Sequence, residues 1–279
     1  MNSALNPQTG FAHLTDLPCL KLQYGEASAV ISLYGAQVLS YKPTAEREVL
    51  WLSPKARWHN DAAIRGGIPV CWPWFGPATT AFNTAQKELP NHGLVRNRLW
   101  QLVHQHTSAN GASVVLKLEL TELPHYAGTV VIQLSVTLNE TLTVQLSCNS
   151  PIPQQAALHS YFNIADIDSV LIRPLPAEYQ DKVAAKTVLD NQLSSRINCE
   201  VDRIYAHSAA QLRLECATGT LAIGQAGHDA TVVWNPWQEK SRAMADMAAG
   251  SYQQFVCVET ARLNCDRAAL SLQQQLYPI

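Results

Sequence analysis

The sequence has few charged residues. Asp, Glu, Lys and Arg make up only 15% of its 279 residues, and the formal net charge at pH 7 is −2. Nucleic acids and anionic membrane surfaces are normally bound by a concentrated basic face, so this composition argues against both as partners. Net charge does not report on a single pocket, and a basic site for a small anion therefore stays open.

The seven cysteines include no CxxC pair, and their spacing is irregular. An odd number of irregularly spaced cysteines fits a reducing compartment better than a disulfide scaffold. The N-terminal segment MNSALNPQTGFAHLTD lacks the basic start and apolar run of a signal peptide, and no apolar run is long enough to span a bilayer. We therefore expect a cytoplasmic protein with no membrane partner.

Motifs for nucleotide and metal chemistry are also missing. The sequence contains no G-x-G-x-x-G, Walker-type loop or G-x-S-x-G elbow, which disfavours dinucleotide-binding, nucleotide-binding and α/β-hydrolase functions. His104 and His106 would share a strand face, but no third ligand lies nearby at a metal-like spacing. We expect these two histidines to face solvent, and we expect neither a metal nor an organic cofactor.

Alternation of apolar and polar residues is the dominant pattern in what remains. It runs through residues 129–138, stops at a short polar turn and resumes through 142–148. Two alternating runs joined in this way predict an antiparallel hairpin with one buried face. Residues 114–120 predict a third strand, and the runs 212–216 and 221–223 predict a second hairpin across Thr218-Gly219.

Helical patterns are weak by comparison. Only the Ala-rich stretch 239–249 predicts a turn or two of helix, and the sequence contains no repeat or flexible linker. Further strands are predicted at residues 29–33, 38–41, 48–52, 231–234 and 255–259. Many strands with few helices predict an all-β antiparallel sandwich, and 47% hydrophobic residues can fill its core. We expect residues 1–279 to form a single domain.

Four segments place polar residues in apolar or Gly/Pro-marked surroundings: 64–77, 91–97, 158–163 and 255–260. In the first, which contains Arg65, three glycines and three prolines predict an unusual backbone path, and three aromatic residues lie together near its end. Aromatic faces suit a sugar ring, and a guanidinium can hold a phosphate or carboxylate with two hydrogen bonds. The alternative is a rigid buried loop with a surface arginine.

The other segments contribute two histidines and a carboxylate. His92 and Arg96 flank a glycine and could hold an anionic or polyhydroxy ligand, although an isolated histidine is often structural. His159 lies among apolar residues, where a satisfied core histidine is the alternative. Strand alternation places Glu259 on the face of Cys257, where desolvation would raise its pKa towards a range useful for proton transfer. The alternative is a strand that ends at Glu259 and leaves the carboxylate solvated.

Seven short segments occur together in a fixed order: Gly35-Ala36-Gln37, Arg65-Gly66-Gly67-Ile68-Pro69, His92-Gly93-Leu94-Val95-Arg96, Leu158-His159-Ser160-Tyr161-Phe162, Val201-Asp202-Arg203-Ile204-Tyr205, Trp234-Asn235-Pro236-Trp237 and Cys257-Val258-Glu259. In this order they resemble the aldose 1-epimerase (galactose mutarotase-like) superfamily, and within it the glucose-6-phosphate 1-epimerase branch. The resemblance implies a large antiparallel β-sandwich of the galactose mutarotase-like supersandwich type. The sugar is then expected in a cleft across one sheet.

The resemblance also implies roles for individual residues. His159 and Glu259 match the family's acid and base, which open and reclose the sugar ring without a metal. Arg65 and Arg96 match arginines that the hexose-phosphate branch uses for the phosphate. His92 is then expected to hydrogen-bond the ring oxygen or a neighbouring hydroxyl.

Asp202 matches an acidic position that the family places near the sugar hydroxyls, and its alternative is a turn aspartate beside Arg203. Trp234 and Trp237 are expected to shape the pocket wall or to pack in the core. Where the family more often has Gly-Phe-Ala-Arg, this chain has Gly93-Leu94-Val95-Arg96. This departure could reshape the sugar pocket and leaves the preferred hexose open.

The expected function is thus interconversion of the α and β anomers of a hexose 6-phosphate, with D-glucose 6-phosphate as the first candidate. Two alternatives stay open. One is a mutarotase of free aldoses, which would leave two arginines without an obvious partner. The other is a non-catalytic carbohydrate-binding or metabolite-sensing module on the same fold, because a fold by itself does not establish catalysis. The sequence calls for no more than a monomer.

Overall fold

Antiparallel strands make up nearly all the regular structure of this protein. The computed structural model describes residues 3–190 and 196–279. Twenty strands form three sheets there, alongside one α-helix, α1, at Trp237–Ala243 and two short 3₁₀ turns at Ile167–Ser169 and Ser251–Gln253. The predicted all-β antiparallel class is therefore confirmed. Among the described residues, no helix combines the length and apolar character that crossing a membrane requires.

The first four strands form a sheet of their own, called here the N-terminal sheet, in the order β1-β2-β3-β4. Their bounds are β1 Ser3–Phe11, β2 Leu14–Tyr24, β3 Ala27–Ser32 and β4 Val38–Lys42. Alternation along β2 and β3 places Leu20, Leu22, Ala29 and Ile31 in the main hydrophobic core. Predictions for residues 29–33 and 38–41 are confirmed by β3 and β4.

A second sheet, called here the core sheet, has the order β12-β16-β17-β20-β9-β8-β7-β6. Its strands are β6 Gln101–Ser108, β7 Gly111–Leu120, β8 Val130–Leu138, β9 Leu142–Cys148, β12 Leu171–Arg173, β16 Gln211–Cys216, β17 Gly219–Ala226 and β20 Leu270–Pro278. Both predicted hairpins, β8–β9 and β16–β17, are present, and β7 adds the predicted third strand beside β8. Alternation succeeded here because β7, β8, β9 and β16 each have one buried face.

The third sheet carries the candidate site and is called here the site sheet. Its order is β14-β13-β15-β18-β19-β10-β5, and β11 pairs with β19 beyond the end of β10. Its strands are β5 Val70–Cys71, β10 Gln154–Leu158, β11 Tyr161–Asn163, β13 Glu178–Asp181, β14 Lys186–Leu189, β15 Val201–Ala206, β18 Ala230–Asn235 and β19 Phe255–Asp266. The predicted strands 231–234 and 255–259 correspond to β18 and to the first half of β19.

The site sheet is buried on both faces around β19. Val256 and Val258 point to the main core, whereas Cys257 lies in a separate aromatic cluster on the opposite face. On the core side, Ser160 donates a hydrogen bond of 2.5 Å from Oγ to Gln274 Oε1 of β20. Each fully buried valine contributes about 1.5–3 kcal/mol of burial free energy. This burial fixes which face of β19 is left for the site.

Residues 48–52 do not form the predicted strand. They make only single bridges, between Leu50 and Phe162 and between Leu52 and Gly66. The cause is local, because the Glu48 carboxylate accepts hydrogen bonds from the backbone N–H groups of Tyr41 (3.0 Å) and Leu50 (3.1 Å). A side chain that binds nearby backbone groups competes with a regular ladder.

The predicted helix at 239–249 is also misplaced. Helix α1 covers Trp237–Ala243, so it begins and ends earlier. The Asn235 side chain starts it, since Oδ1 accepts the backbone N–H of Trp237 at 2.8 Å. Met244 is extended, with φ −89° and ψ 113°, and the helix stops there. Alanine content suggested a continuation that the backbone does not make.

Candidate active site

His159 and Glu259 lie opposite each other on the outer face of the site sheet. Tyr161 of β11 pairs with Cys257 of β19, and the adjoining β10–β19 pairs keep the same antiparallel register. That register sets His159 against Glu259. The imidazole Nε2 lies 3.4 Å from the carboxylate Oε1.

Both side chains of this pair are removed from solvent. Glu259 is 1% exposed and His159 is 7% exposed, so the solvated alternative for Glu259 does not apply. Among the described residues, Glu259 Oε2 and His159 Nδ1 have no hydrogen-bond partner. A buried polar atom without a partner costs about 1–3 kcal/mol. Such atoms are typical of a site that completes its hydrogen bonds with a ligand.

Burial sets the protonation of the pair. Desolvation raises the pKa of Glu259 well above its usual range; nearby Asp202 adds to the shift and Arg96 opposes it. Desolvation also lowers the pKa of His159 well below its usual range, helped by His92, Arg96 and Arg65. Both directions favour neutral forms. Burial therefore favours the pair's shared proton on Glu259 over His159.

The pair forms part of the wall of a cavity of about 350 Å³. All six site residues predicted from the sequence line this one cavity: Arg65, His92, Arg96, His159, Asp202 and Glu259. Phe75, one of the three aromatic residues of segment 64–77, also lines the cavity, whereas sequence analysis did not single out Lys182, Lys240 and Met244. The structure thus brings together residues that are nearly two hundred positions apart.

Arg65 is held rigidly at one side of the cavity. The side-chain amide of Gln37 donates hydrogen bonds to the carbonyl oxygens of the residues on either side of Arg65, Ile64 at 3.2 Å and Gly66 at 2.5 Å. Its guanidinium donates to Asp246 Oδ2 at 3.0 Å and to the Tyr161 hydroxyl at 2.9 Å. Burial alone would lower the pKa of Arg65, but these two partners more than offset it, so the pKa is raised. Arg65 therefore remains a cation.

His92 faces the cavity as a neutral hydrogen-bond donor. Burial, followed by the nearby Arg96 and Arg65, lowers the pKa of His92 to about 3. The Gly76 N–H donates to His92 Nδ1 at 3.3 Å, which leaves the proton on Nε2. Nε2 can then donate to an oxygen of a ligand.

The backbone after His92 requires glycine. Gly93 has φ +84°, and a Cβ at this position would lie 1.9 Å from the carbonyl oxygen of Trp72. Only glycine allows such an approach without moving the backbone. The close contact presses the His92 segment against the end of β5 and so positions the imidazole.

Arg96 lies where the cavity meets a second recess of about 220 Å³. Both spaces are lined by Arg65 and Arg96, and the second is also lined by Arg57 and Asp246. Arg96 donates from Nη2 to the backbone oxygen of Asn91 at 2.8 Å. Two guanidinium groups therefore border the same volume, which is a suitable arrangement for an anion.

Asp202 enters the cavity from β15. It pairs with Trp234, which in turn pairs with Cys257. The register of β15, β18 and β19 therefore places residues of three neighbouring strands at the site. Burial raises the pKa of Asp202, while Lys182 and Lys240 lower it to a smaller extent. No sequence pattern identified these two lysines, because each lies in a polar stretch typical of a solvent-exposed segment.

Aromatic rings fix the orientation of the His159 imidazole. The Tyr161 ring stacks on it with centroids 5.0 Å apart and planes at 10°, and Trp234 contacts it edge-on at 6.0 Å. Trp234 lines the cavity, as expected, while Trp237 packs against Tyr252. Two-residue periodicity from His159 could have identified Tyr161 as a member of the site.

The part of the chain that the structure describes contains one group of metal-ligating side chains. His159, Cys257 and Glu259 are buried, and one ligand atom from each lies within 4.8 Å of the other two. The candidate pair His104 and His106 is exposed on β6, as the sequence predicted. Any metal site of this kind at the described residues would therefore involve both His159 and Glu259.

This geometry can be compared with known proteins. Residues 18–274 match the family model described as aldose 1-epimerase. A protein of Escherichia coli (strain K12) named "Putative glucose-6-phosphate 1-epimerase" is 35% identical over 266 residues, which cover 92% of this chain and 87% of the relative. A protein of the same name from Haemophilus influenzae is 34% identical over 225 residues, 79% of this chain and 75% of that one.

Solved structures agree with this match. A mutarotase described as putative, YeaD from Salmonella typhimurium, superposes with a TM-score of 0.88 at 30% identity, covering 98% of this chain and 96% of that chain. A galactose 1-epimerase from Lactobacillus acidophilus gives 0.75 at 14% identity, covering 99% and 98%. The second likeness shows the fold alone.

Proposed function

The chain belongs to the aldose 1-epimerase family, and on that premise we propose that it interconverts the α and β anomers of a hexose 6-phosphate. The observation that carries the proposal is the pair of His159 and Glu259, 3.4 Å apart in the wall of a cavity that Arg65 and Arg96 also line. Anomer exchange needs one group to accept a proton and another to donate one. The arginines add a site for the phosphate.

The proposed reaction begins with Glu259 as a carboxylate and His159 as an imidazolium. Glu259 takes the proton of the C1 hydroxyl, and the electron pair of that O–H bond becomes the second bond of the C1 carbonyl. The C1–O5 bond breaks, and O5 takes a proton from His159. Rotation about C1–C2 then presents the other face of the aldehyde, and the ring closes with the two roles reversed. The pair ends with the single proton with which it began.

Substrate binding supplies the ionised form of the pair. In the free protein, Arg96 and Arg65 contribute to the lowered pKa of His159. A phosphate bound by these arginines would offset their positive field, since opposite charges nearby favour the cationic imidazolium. The proton then moves from Glu259 to His159 over a donor–acceptor separation of 3.4 Å. Binding of the phosphate thus also produces the protonation state of the pair that the reaction needs.

The remaining lining residues are proposed to orient the sugar. His92 donates from Nε2 to the ring oxygen or a neighbouring hydroxyl. Asp202 accepts from sugar hydroxyls; it lines the cavity from within strand β15, which supports this role over the turn alternative. D-glucose 6-phosphate is the first candidate substrate.

The two alternatives differ in what the cavity would need. A mutarotase of free aldoses has no use for two cations beside the sugar, and both arginines line this cavity. A binding module has no need for a buried, one-proton pair of His159 and Glu259, whose burial costs stability. The cavity therefore favours an enzyme that acts on a phosphorylated sugar.

Exchange-spectroscopy NMR on the anomeric protons tests the proposal directly. We expect the protein to accelerate exchange of glucose 6-phosphate more strongly than exchange of glucose, and we expect the acceleration to vanish in the Glu259→Gln variant. Equal acceleration of both sugars would favour the free-aldose mutarotase. A folded protein that accelerates neither would leave the binding module as the better account.

We also propose that residues 1–279 act as one monomeric domain in a reducing compartment such as the cytoplasm. The main hydrophobic core draws residues from all three sheets, which supports a single domain. All seven cysteines are free, which supports a reducing environment. Light scattering and fractionation test these two points.

A further inference from the structure

Cys257 lies beside the acid–base pair but has no part in the proposed reaction. A ring nitrogen of His159, Cys257 Sγ and a Glu259 carboxylate oxygen all lie within 4.8 Å of one another. Cys257 and Glu259 are two residues apart on one face of β19, and His159 is opposite Glu259. The register that builds the catalytic pair therefore adds a thiol to it.

The spacing of these atoms suits a small tetrahedral cation. Zinc binds imidazole nitrogen and carboxylate oxygen at about 2.0–2.1 Å, which for a tetrahedral angle sets the two ligand atoms about 3.3–3.4 Å apart. His159 Nε2 and Glu259 Oε1 are separated by 3.4 Å. The thiol sulfur lies within 4.8 Å of a ring nitrogen of His159 and of a carboxylate oxygen of Glu259. Measured to those atoms, it would need to close by no more than about 1.3 Å for a Zn–S bond of about 2.3 Å.

The ligand types also select the metal. An imidazole, a thiolate and a carboxylate suit zinc, whereas magnesium and calcium prefer oxygen ligands only. A thiolate and a carboxylate neutralise the charge of a divalent cation. The bound group is then neutral overall, which reduces both the cost of burial and the repulsion by Arg65 and Arg96.

The cavity gives a cation access to these atoms, and one carboxylate oxygen there is available as a ligand. His159 and Glu259 line the cavity, so a cation can reach them by the same route as the sugar. Glu259 Oε2 is buried without a hydrogen-bond partner among the described residues. A water molecule in the cavity that His159 and Glu259 line can supply the fourth ligand.

We propose that His159, Cys257 and Glu259 form a binding site for zinc and that zinc bound there inhibits the enzyme. The metal occupies the carboxylate lone pair with which Glu259 would accept a proton. It also occupies the ring-nitrogen lone pair with which His159 would hold one. The inhibitory part of this inference rests on the proposed function. Binding of the metal does not, and it can be measured separately.

Cobalt(II) is a spectroscopic probe for this site because a cobalt–thiolate bond gives a charge-transfer band in the near ultraviolet. We expect wild-type protein to show this band and zinc to remove it by displacement. Cys257→Ala should lose the band and bind zinc at least tenfold more weakly. Cys71→Ala, which changes another fully buried thiol of the same sheet, should retain both properties, as should the exposed-thiol variant Cys199→Ala. Circular dichroism checks that each variant is folded, and Cys257→Ser replaces Cys257→Ala if the latter is not.

Absence of a cobalt–thiolate band in wild type, or a band that persists in the folded Cys257 variant, would overturn the site. The second measurement is anomer exchange of glucose 6-phosphate with added zinc or magnesium. Zinc should inhibit the wild type and should inhibit Cys257→Ala at least tenfold less strongly, with magnesium inert towards both. Inhibition equal in both proteins would contradict the inference. A band without epimerase activity would instead contradict the proposed function and leave the metal site standing.

Discussion

His159 and Glu259 face each other across two antiparallel strands, with Nε2 3.4 Å from Oε1, although one hundred residues separate them in the chain. The pair is buried and lines the cavity that also carries both arginines, and burial shifts the pKa of each group towards its neutral form. This geometry leads to five predictions on these and neighbouring residues.

Glu259→Gln should abolish catalysis without unfolding the protein. Glutamine keeps the shape of a protonated glutamic acid but cannot accept the C1 hydroxyl proton, and we expect the turnover number to fall by about 10²–10⁴-fold. The measurement is anomer exchange by NMR, with the exposed Glu239→Gln as control. A variant that retains more than half of wild-type turnover would remove Glu259 from the mechanism.

The same substitution should leave stability unchanged or raised at neutral pH. The pKa of Glu259 is raised in the folded protein, so its favourable contribution is present below the unfolded pKa and lost as the pH rises through the folded pKa. Neutral pH lies above the unfolded pKa, so the wild type has already lost part of this stability. Glutamine does not titrate and therefore avoids the loss. Urea unfolding of both proteins checks this point, and a large drop in midpoint would contradict the protonated state.

Arg96→Gln should weaken recognition of the phosphate and spare the sugar. Losing a charge-assisted hydrogen bond costs about 1.5–3 kcal/mol, which corresponds to a rise in KM for glucose 6-phosphate of about 10–150-fold. Exchange of free glucose should change little. Arg98→Gln, two residues on and exposed, is the matched control. Equal losses for both sugars would show that Arg96 acts on the catalytic pair rather than on the phosphate.

Gly93→Ala should be more destabilising than Gly76→Ala. Both glycines have positive φ, +84° and +69°, but a Cβ at Gly93 would lie 1.9 Å from Trp72 O, whereas none of the neighbouring atoms lies within 4 Å at Gly76. Strain alone costs about 1–2 kcal/mol at either position, and the clash adds to it only at Gly93. Urea unfolding measures both free energies. Equal values would mean that the backbone relaxes around Gly93.

Acidification below pH 6.5 should destabilise the protein through His92. Its pKa is lowered to about 3 in the folded protein, so its contribution is present above the unfolded pKa and lost as the pH falls towards the folded one. At pH 5 this amounts to at most about 2 kcal/mol. His92→Gln should therefore lose less stability between pH 7 and pH 5 than the wild type does, and the exposed His104→Gln should behave as wild type. Parallel pH profiles for His92→Gln and wild type would contradict the lowered pKa.

Local patterns in the sequence predicted much of this architecture. Strands such as β8 and β9 are visible because side chains alternate between two faces, and a single buried face leaves that alternation in the residues themselves. Residues 48–52 and 239–249 were misassigned because the side chains of Glu48 and Asn235 accept hydrogen bonds from backbone N–H groups. These hydrogen bonds override the local pattern. Neither effect is encoded in alternation or alanine content.

The sequence also determined the chemistry available to the site. A histidine, a carboxylate and two arginines in recognisable segments were enough to suggest acid–base chemistry on an anionic sugar. Whether Glu259 was buried, and which partner it faced, could not be read from residues 255–260 alone. Both depend on the strand that lies beside β19, and that strand comes from a distant part of the chain.

The tertiary structure alone decided how these groups act together. The register between β10, β11 and β19 sets His159 against Glu259 and adds Cys257, and packing of the sheets removes all three from water. Asp246 reaches Arg65 across 181 residues, and no local pattern reports such a partner. Amino-acid types fix which protons and charges a chain can offer, but pKa values and distances arise only when folding brings these groups together and excludes solvent.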